Sequence, residues 1–175
     1  MPSRNKLNPK NWNIKKILKE IAIALLMIFV VSNVMSYLRK PTLESNVLPH
    51  IEMKLLDGTV FSSKALESKP IIIHFWATWC PTCKLEAGNI QSISQEYTVL
   101  TIAVQSGDDK QIETYMKENG LHFKVLNDVD GTWAQKFKVE AFPTTFIYDG
   151  KGELRFTEVG YTTTAGILAR LKLIE

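Results

Sequence analysis

Ile71-Ile72-Ile73-His74-Phe75-Trp76-Ala77-Thr78-Trp79-Cys80-Pro81-Thr82-Cys83 is the stretch that decides the fold. Its first six residues are almost all β-branched or aromatic and do not alternate with polar ones. Such a run reads as a strand covered on both faces. The strand then gives way to Cys-Pro-Thr-Cys, where helical spacing begins. A cysteine at a helix N-terminus meets free backbone N–H groups and the positive end of the helix dipole, both of which favour a thiolate. A second cysteine one turn later is close enough for a disulfide with little backbone movement. Pro81 suits the first helical turn, where its missing N–H leaves nothing unpaired.

Working outward, the helix is expected from about Pro81 to Glu96. His50 to Leu56 and Thr59 to Ser62 read as a hairpin turning at Asp57-Gly58. Downstream come a strand at Thr98–Val104 and a helix at Asp108–Asn119, with Asp108 as N-cap and Gly120 as its stop. A short strand at Phe123–Leu126 and a short helix at Gly131–Phe137 follow. Two strands, Thr144–Tyr148 and Glu153–Val159, flank an Asp149-Gly150-Lys151-Gly152 turn, and a helix at Thr162–Leu173 closes the chain. A hairpin, alternating strands and helices, then a hairpin and a closing helix imply an α/β domain with a central sheet covered on both faces.

The chain has 175 residues, enough for one ordinary domain and an appendage. Its net charge of +3 is unevenly spread: residues 1–40 carry +7 and residues 41–175 carry −4. The basic residues lead directly into an uncharged run, Ile21 to Leu38, so they read as the flank of a membrane segment and not as a nucleic-acid tail. Eighteen helical residues span roughly 27 Å, just enough for a bilayer core. Six Lys/Arg precede the run and Arg39 and Lys40 follow it, so the positive-inside rule keeps the N-terminus cytoplasmic and exports the rest. A cleaved signal peptide is the rival, with Val34-Met35-Ser36 as a tolerable substitute for the usual small-residue site. The expected organisation is a cytoplasmic basic arm (1–20), a single-pass signal-anchor helix (21–38), a linker (39–46) and a folded domain (47–175).

Phe75 to Cys83 resembles the active site of the TlpA/ResA/CcmG branch of the thioredoxin superfamily. The resemblance covers about residues 47–175, including the N-terminal hairpin and the extra segment near 98–119. Gly160-Tyr161-Thr162-Thr163 and Gly107-Asp108-Asp109 look closer still to the membrane-anchored, ScsD-like disulfide oxidoreductases. The resemblance implies a thioredoxin-like fold and a thiol–disulfide oxidoreductase on the extracytoplasmic (periplasmic) side of a bacterial inner membrane. It implies protein thiol or disulfide substrates, a membrane redox partner that recycles the pair, and no cofactor beyond the Cys80–Cys83 disulfide. Cys80 is then the exposed, attacking thiol and Cys83 the shielded, resolving one. Phe142-Pro143 matches the cis-proline loop, whose backbone pairs with substrate like an added strand. Trp79, Pro81 and Thr82 belong to the same substrate-facing surface.

Two ionisable residues are candidates for proton transfer. Glu86 lies three residues beyond Cys83, on the same helix face, where the branch places an acid. It either exchanges a proton with Cys83 or is a solvated first-turn Glu. His74, six residues before Cys80, stands where thioredoxin has a buried Asp. It is either a proton relay, since histidine titrates near neutral pH, or a neutral core histidine. His50 and His122 have no constellation and read as incidental.

The direction of exchange stays open, because the dipeptide between the cysteines does not fix the potential. CcmG-like members carry Pro-Glu-Thr where this chain has Pro143-Thr144-Thr145, which weakens a specific cytochrome c role. Two other classes compete: a copper chaperone using Cys80, Cys83 and His74, and a non-catalytic binding module.

Overall fold

The computed structural model describes residues 14–43, 45–65 and 69–174. Most of the expected basic arm, residues 1–13, lies outside the described residues. Residues 1–38 and 39–175 form two separate compact units.

The described residues of the first unit form one helix, α1 (Ile14–Leu38), of 25 residues. Its stretch Lys16–Leu38 is long and apolar enough to cross a membrane. Its apolar side chains, Leu25 to Val31 among them, are exposed around the whole circumference, as expected of a helix built to be solvated by lipid. Asn33 turns its amide back onto the Phe29 carbonyl at 2.7 Å, so its polar group stays satisfied within the helix.

The second unit is built on a five-stranded sheet. Its strands are β3 (Ile71–Trp76), β4 (Thr98–Val104), β5 (Lys124–Asp128), β6 (Thr144–Tyr148) and β7 (Leu154–Val159), in the spatial order β5-β4-β3-β6-β7. β3, β4 and β5 run parallel; β6 and β7 are antiparallel to their neighbours. A separate hairpin, β1 (Glu52–Lys54) with β2 (Val60–Ser62), precedes it. The helices are α2 (Pro81–Ile93), α3 (Asp109–Glu118), α4 (Thr132–Lys136) and α5 (Thr164–Lys172).

All six residues of β3 are buried, which explains its unbroken apolar run. Strand alternation splits them between two cores. Ile72 and Trp76 join Val99, Ala103 and Ile147 under α2, α3 and α5. Ile71, Ile73 and Phe75 join Leu100, Ile102 and Phe146 under Phe137 and the hairpin's Phe61. Phe75, Phe137 and Phe146 stack together with ring centroids 5.1 to 5.8 Å apart.

Local chemistry sets the boundaries. Asp108 and Gln111 form a capping box at the start of α3, and Gly120 ends the turn after it at φ +63°, a left-handed conformation that suits glycine. The buried Asp128 carboxylate caps α4 by accepting from the N–H groups of Trp133 (3.0 Å) and Ala134 (2.9 Å). Three expectations shift. The first hairpin does not turn on Asp57-Gly58 alone: its last pair is Lys54↔Val60, and Leu55 leaves the strand to enter the core. Helix α2 ends at Ile93, its last buried position, and Ser94 caps it. The folded chain reaches back into the expected linker, since Leu43 packs on the core and Asn46 accepts from the Leu154 N–H.

Candidate active site

Cys80 and Cys83 stand where β3 ends and α2 begins, joined as a disulfide with their Cα atoms 5.3 Å apart. Cys80 is the N-cap of α2, in extended conformation, and its Sγ accepts a hydrogen bond from the Cys83 N–H at 3.1 Å. The atom that would carry thiolate charge therefore faces a helix N-terminus. Pro81 occupies the first helical position.

The approach to the helix is held firmly. Cys80 N–H donates to Ala77 O, and Thr78 N–H donates to the Ser106 hydroxyl at 3.0 Å, which in turn donates to Val104 O. The Trp79 indole N–H donates to Gln105 O at 3.1 Å, and its ring meets Phe142 edge-on with centroids 5.5 Å apart. Trp79 is 58% exposed, so one face of a fixed aromatic ring is offered to solvent beside the disulfide. The Phe142–Pro143 peptide is cis, and Phe142 packs against the cluster containing both cysteines. Cys80 is only 5% exposed and Cys83 3%. Cys80 is thus less exposed in the disulfide form than the sequence suggested, lying in the buried cluster against which Phe142 packs.

Glu86 is fully buried in α2. Its Oε1 accepts from the Thr162 N–H at 2.9 Å, while Oε2 has no partner among the described residues. Burial, only partly offset by the Thr162 N–H, raises its pKa to about 8. At neutral pH it holds a proton, one helical turn from Cys83.

His74 is also buried, on the sheet face shared with Ile72 and Trp76. Its Nδ1 lies 2.9 Å from the Thr145 hydroxyl, two residues beyond the cis proline. Burial lowers its pKa to about 3, so its charge does not change near neutral pH, against one of the two expectations. Nor does it join the cysteines in a metal cluster: among the described residues no group of three or more His, Cys, Asp or Glu is placed to hold an ion. His50 pairs with Glu52 on the surface at 3.3 Å. A cavity of about 930 Å³ among Lys69, Tyr97, Asp149 and Ile174 lies at the other end of β3, away from the thiols.

Residue-by-residue reading missed the roles of Asn89, Thr162, Gln105 and Ser106. Asn89 follows Glu86 by three residues on one helix face, a signal present in the sequence. Its partners in the loop before α5 leave no such periodic trace.

Comparison with known proteins gives a consistent outcome. Residues 45–157 match the AhpC/TSA family. A thioredoxin-like protein of Haemophilus influenzae is 30% identical over 164 residues, covering 93% of this chain and 97% of its own length. The thiol-disulfide oxidoreductase ResA of Oceanobacillus iheyensis is 30% identical over 142 residues, 77% of this chain and 73% of its own. The crystal structure of StoA from Bacillus subtilis superposes with a TM-score of 0.62 at 28% identity, covering 71% of this chain and 98% of that one.

Proposed function

Because this chain belongs to the AhpC/TSA family, in its TlpA/ResA/CcmG-like branch of thiol–disulfide oxidoreductases, we propose that it exchanges disulfides with protein substrates through Cys80 and Cys83. The observation that carries this reading is the disulfide at the strand–helix junction, with Cys80 as helix N-cap under a cis Phe142–Pro143 loop.

In the reducing direction, the Cys80 thiolate attacks one sulfur of a substrate disulfide. A mixed disulfide forms and the other substrate sulfur leaves as thiolate. Cys83 thiolate then attacks Cys80 Sγ, the second substrate sulfur leaves, and the Cys80–Cys83 disulfide is restored. Two electrons pass from the pair to the substrate; the oxidising direction is the reverse. The helix N-terminus stabilises the Cys80 thiolate, and Glu86 holds the proton that Cys83 loses or gains. His74 stays neutral throughout and steadies Thr145 beside the cis-proline loop. Trp79, Pro81 and Thr82 face the substrate with Phe142 and Pro143, and the backbone before Pro143 pairs with the substrate strand.

Helix 21–38 holds the protein in the inner membrane, with the basic arm (1–20) in the cytoplasm and the domain (47–175) on the extracytoplasmic side. A membrane thiol–disulfide partner resets the pair after each cycle. Equilibration in glutathione or dithiothreitol buffers, read by Trp fluorescence, tests the function and its direction. A potential near about −270 mV marks a reductant, and one near about −120 mV a disulfide-introducing oxidant. Absence of any two-electron transition would remove the exchange reading.

A further inference from the structure

The loop Gly160–Thr163, between β7 and α5, is tied to the active-site helix at several points. Gly160 N–H donates to Pro143 O at 2.8 Å, which fixes the start of the loop to the cis-proline turn. Two residues on, Thr162 N–H donates to Glu86, one turn beyond Cys83. Tyr161 lies between these two anchors. It is 53% exposed, yet its hydroxyl is engaged.

What engages it is Asn89. The Asn89 amide donates from Nδ2 to Thr162 O at 2.9 Å and to the Tyr161 hydroxyl at 3.2 Å, and its Oδ1 accepts from the Thr164 hydroxyl at 3.1 Å. One neutral side chain thus supplies two donors to the loop and an acceptor to the first residue of α5. An Asp would lose the donors, and an apolar residue would lose everything.

We propose that Asn89 is a positioning residue: by pinning Tyr161 and Thr162 to α2, it holds Tyr161 beside the cis-proline turn as a wall against which a protein substrate lies while it exchanges with Cys80. The inference rests on the exchange reading of the Cys80–Cys83 pair. Asn89 touches neither sulfur: its bond to the Tyr161 hydroxyl bears on substrate placement, while its bond to Thr162 O steadies the residue whose N–H holds Glu86.

The test uses the full chain in detergent, reduced, with insulin as the protein disulfide and oxidised glutathione as the small one. With Asn89→Ala, kcat/KM for insulin falls roughly five- to tenfold, the scale of losing one or two hydrogen bonds. The loss appears mainly in KM. The glutathione disulfide rate falls clearly less than the insulin rate, and the reduction potential does not move. Tyr161→Ala gives the same pattern, and the double variant loses less than the two single losses combined, because both remove the Asn89–Tyr161 contact. Should Asn89→Ala not fold, Tyr161→Phe removes only the hydroxyl partner and gives about a twofold loss confined to insulin. Equal slowing of both substrates, or an unchanged insulin rate in either variant that folds, would overturn the proposal. Failure of the wild-type chain to react with glutathione disulfide would instead sink the exchange reading beneath it.

Discussion

His74 in β3 and Glu86 in α2 are sealed into the same side of the sheet, and burial leaves both uncharged at neutral pH. The consequences are opposite. His74 is pushed down to about 3, so its neutral form carries no proton that it can release near pH 7. Its Nδ1 is matched by Thr145 at 2.9 Å. Glu86 is pushed up to about 8, so its neutral form is the protonated one. One of its oxygens is held by Thr162 and the other has no partner among the described residues. The same desolvation makes one residue a fixed strut and the other a proton store. Two residues that look equally catalytic in the sequence are separated by what burial does to an acid and to a base.

Glu86→Gln sharpens this contrast most. It keeps the acceptor for Thr162 and removes the proton. Exchange is expected to slow about tenfold at pH 7, less than a typical positioned acid or base contributes because a thiol also ionises unaided. The inflection near pH 8 in the rate profile should vanish, which stopped-flow thiol exchange across pH 6 to 9 would reveal. Loss of rate with the inflection intact would assign the proton elsewhere.

The same substitution has a signature in stability. The folded pKa lies above the unfolded value of about 4.5. The unfolded chain therefore releases its proton first as pH rises, and wild-type stability drains away between about 4.5 and 8. Glu86→Gln should match wild type near pH 4 and exceed it by several degrees in Tm above pH 8, at about 4 °C for each kcal/mol. A constant offset across pH would contradict a buried, proton-holding Glu86.

His74→Leu should behave in the opposite sense. Its folded pKa is depressed, so the unfolded chain gains a proton as pH falls from 6.5 towards 3 and the wild type is destabilised there. The variant should lose about 1 kcal/mol at pH 7, from the hydroxyl of Thr145 left unpaired. It should flatten the acid limb of the stability curve, with exchange rates between pH 6 and 8 changed less than twofold. A shifted rate profile would restore His74 as a relay. The smallest effect belongs to the exposed His50. Its pair with Glu52 should be worth under about 0.5 kcal/mol by denaturant unfolding, and a larger cost would mean that burial is not what distinguishes the histidines.

Much of the fold was legible because it rests on local signals. The run Ile71–Trp76, the Cys80-Pro81-Thr82-Cys83 turn and the Asp108 cap each carry their own physics, and the strands and helices fall close to where these placed them. The candidate site was legible where chemistry sits at fixed spacing, as with Glu86 on the face of Cys83. It was hidden where a backbone group supplies the partner. The Thr162 N–H that meets Glu86 lies 76 residues away and has no side-chain signature. The burial of Cys80 was hidden as well, since it depends on a cluster drawn from distant parts of the chain. His74's lack of titration near neutral pH depends on burial from every side, which its own neighbours in β3 reveal only in part.

The most direct test of the central claim is a trapping experiment with the reduced Cys83→Ser chain and insulin, read by mass spectrometry after acid quenching. Accumulation of a mixed disulfide through Cys80 is expected, with none in Cys80→Ser on the same timescale. An equally fast adduct through Cys83 in Cys80→Ser, or no adduct from a chain whose Cys80 still reacts with an alkylating agent, would contradict the assignment of Cys80 as the exchanging thiol.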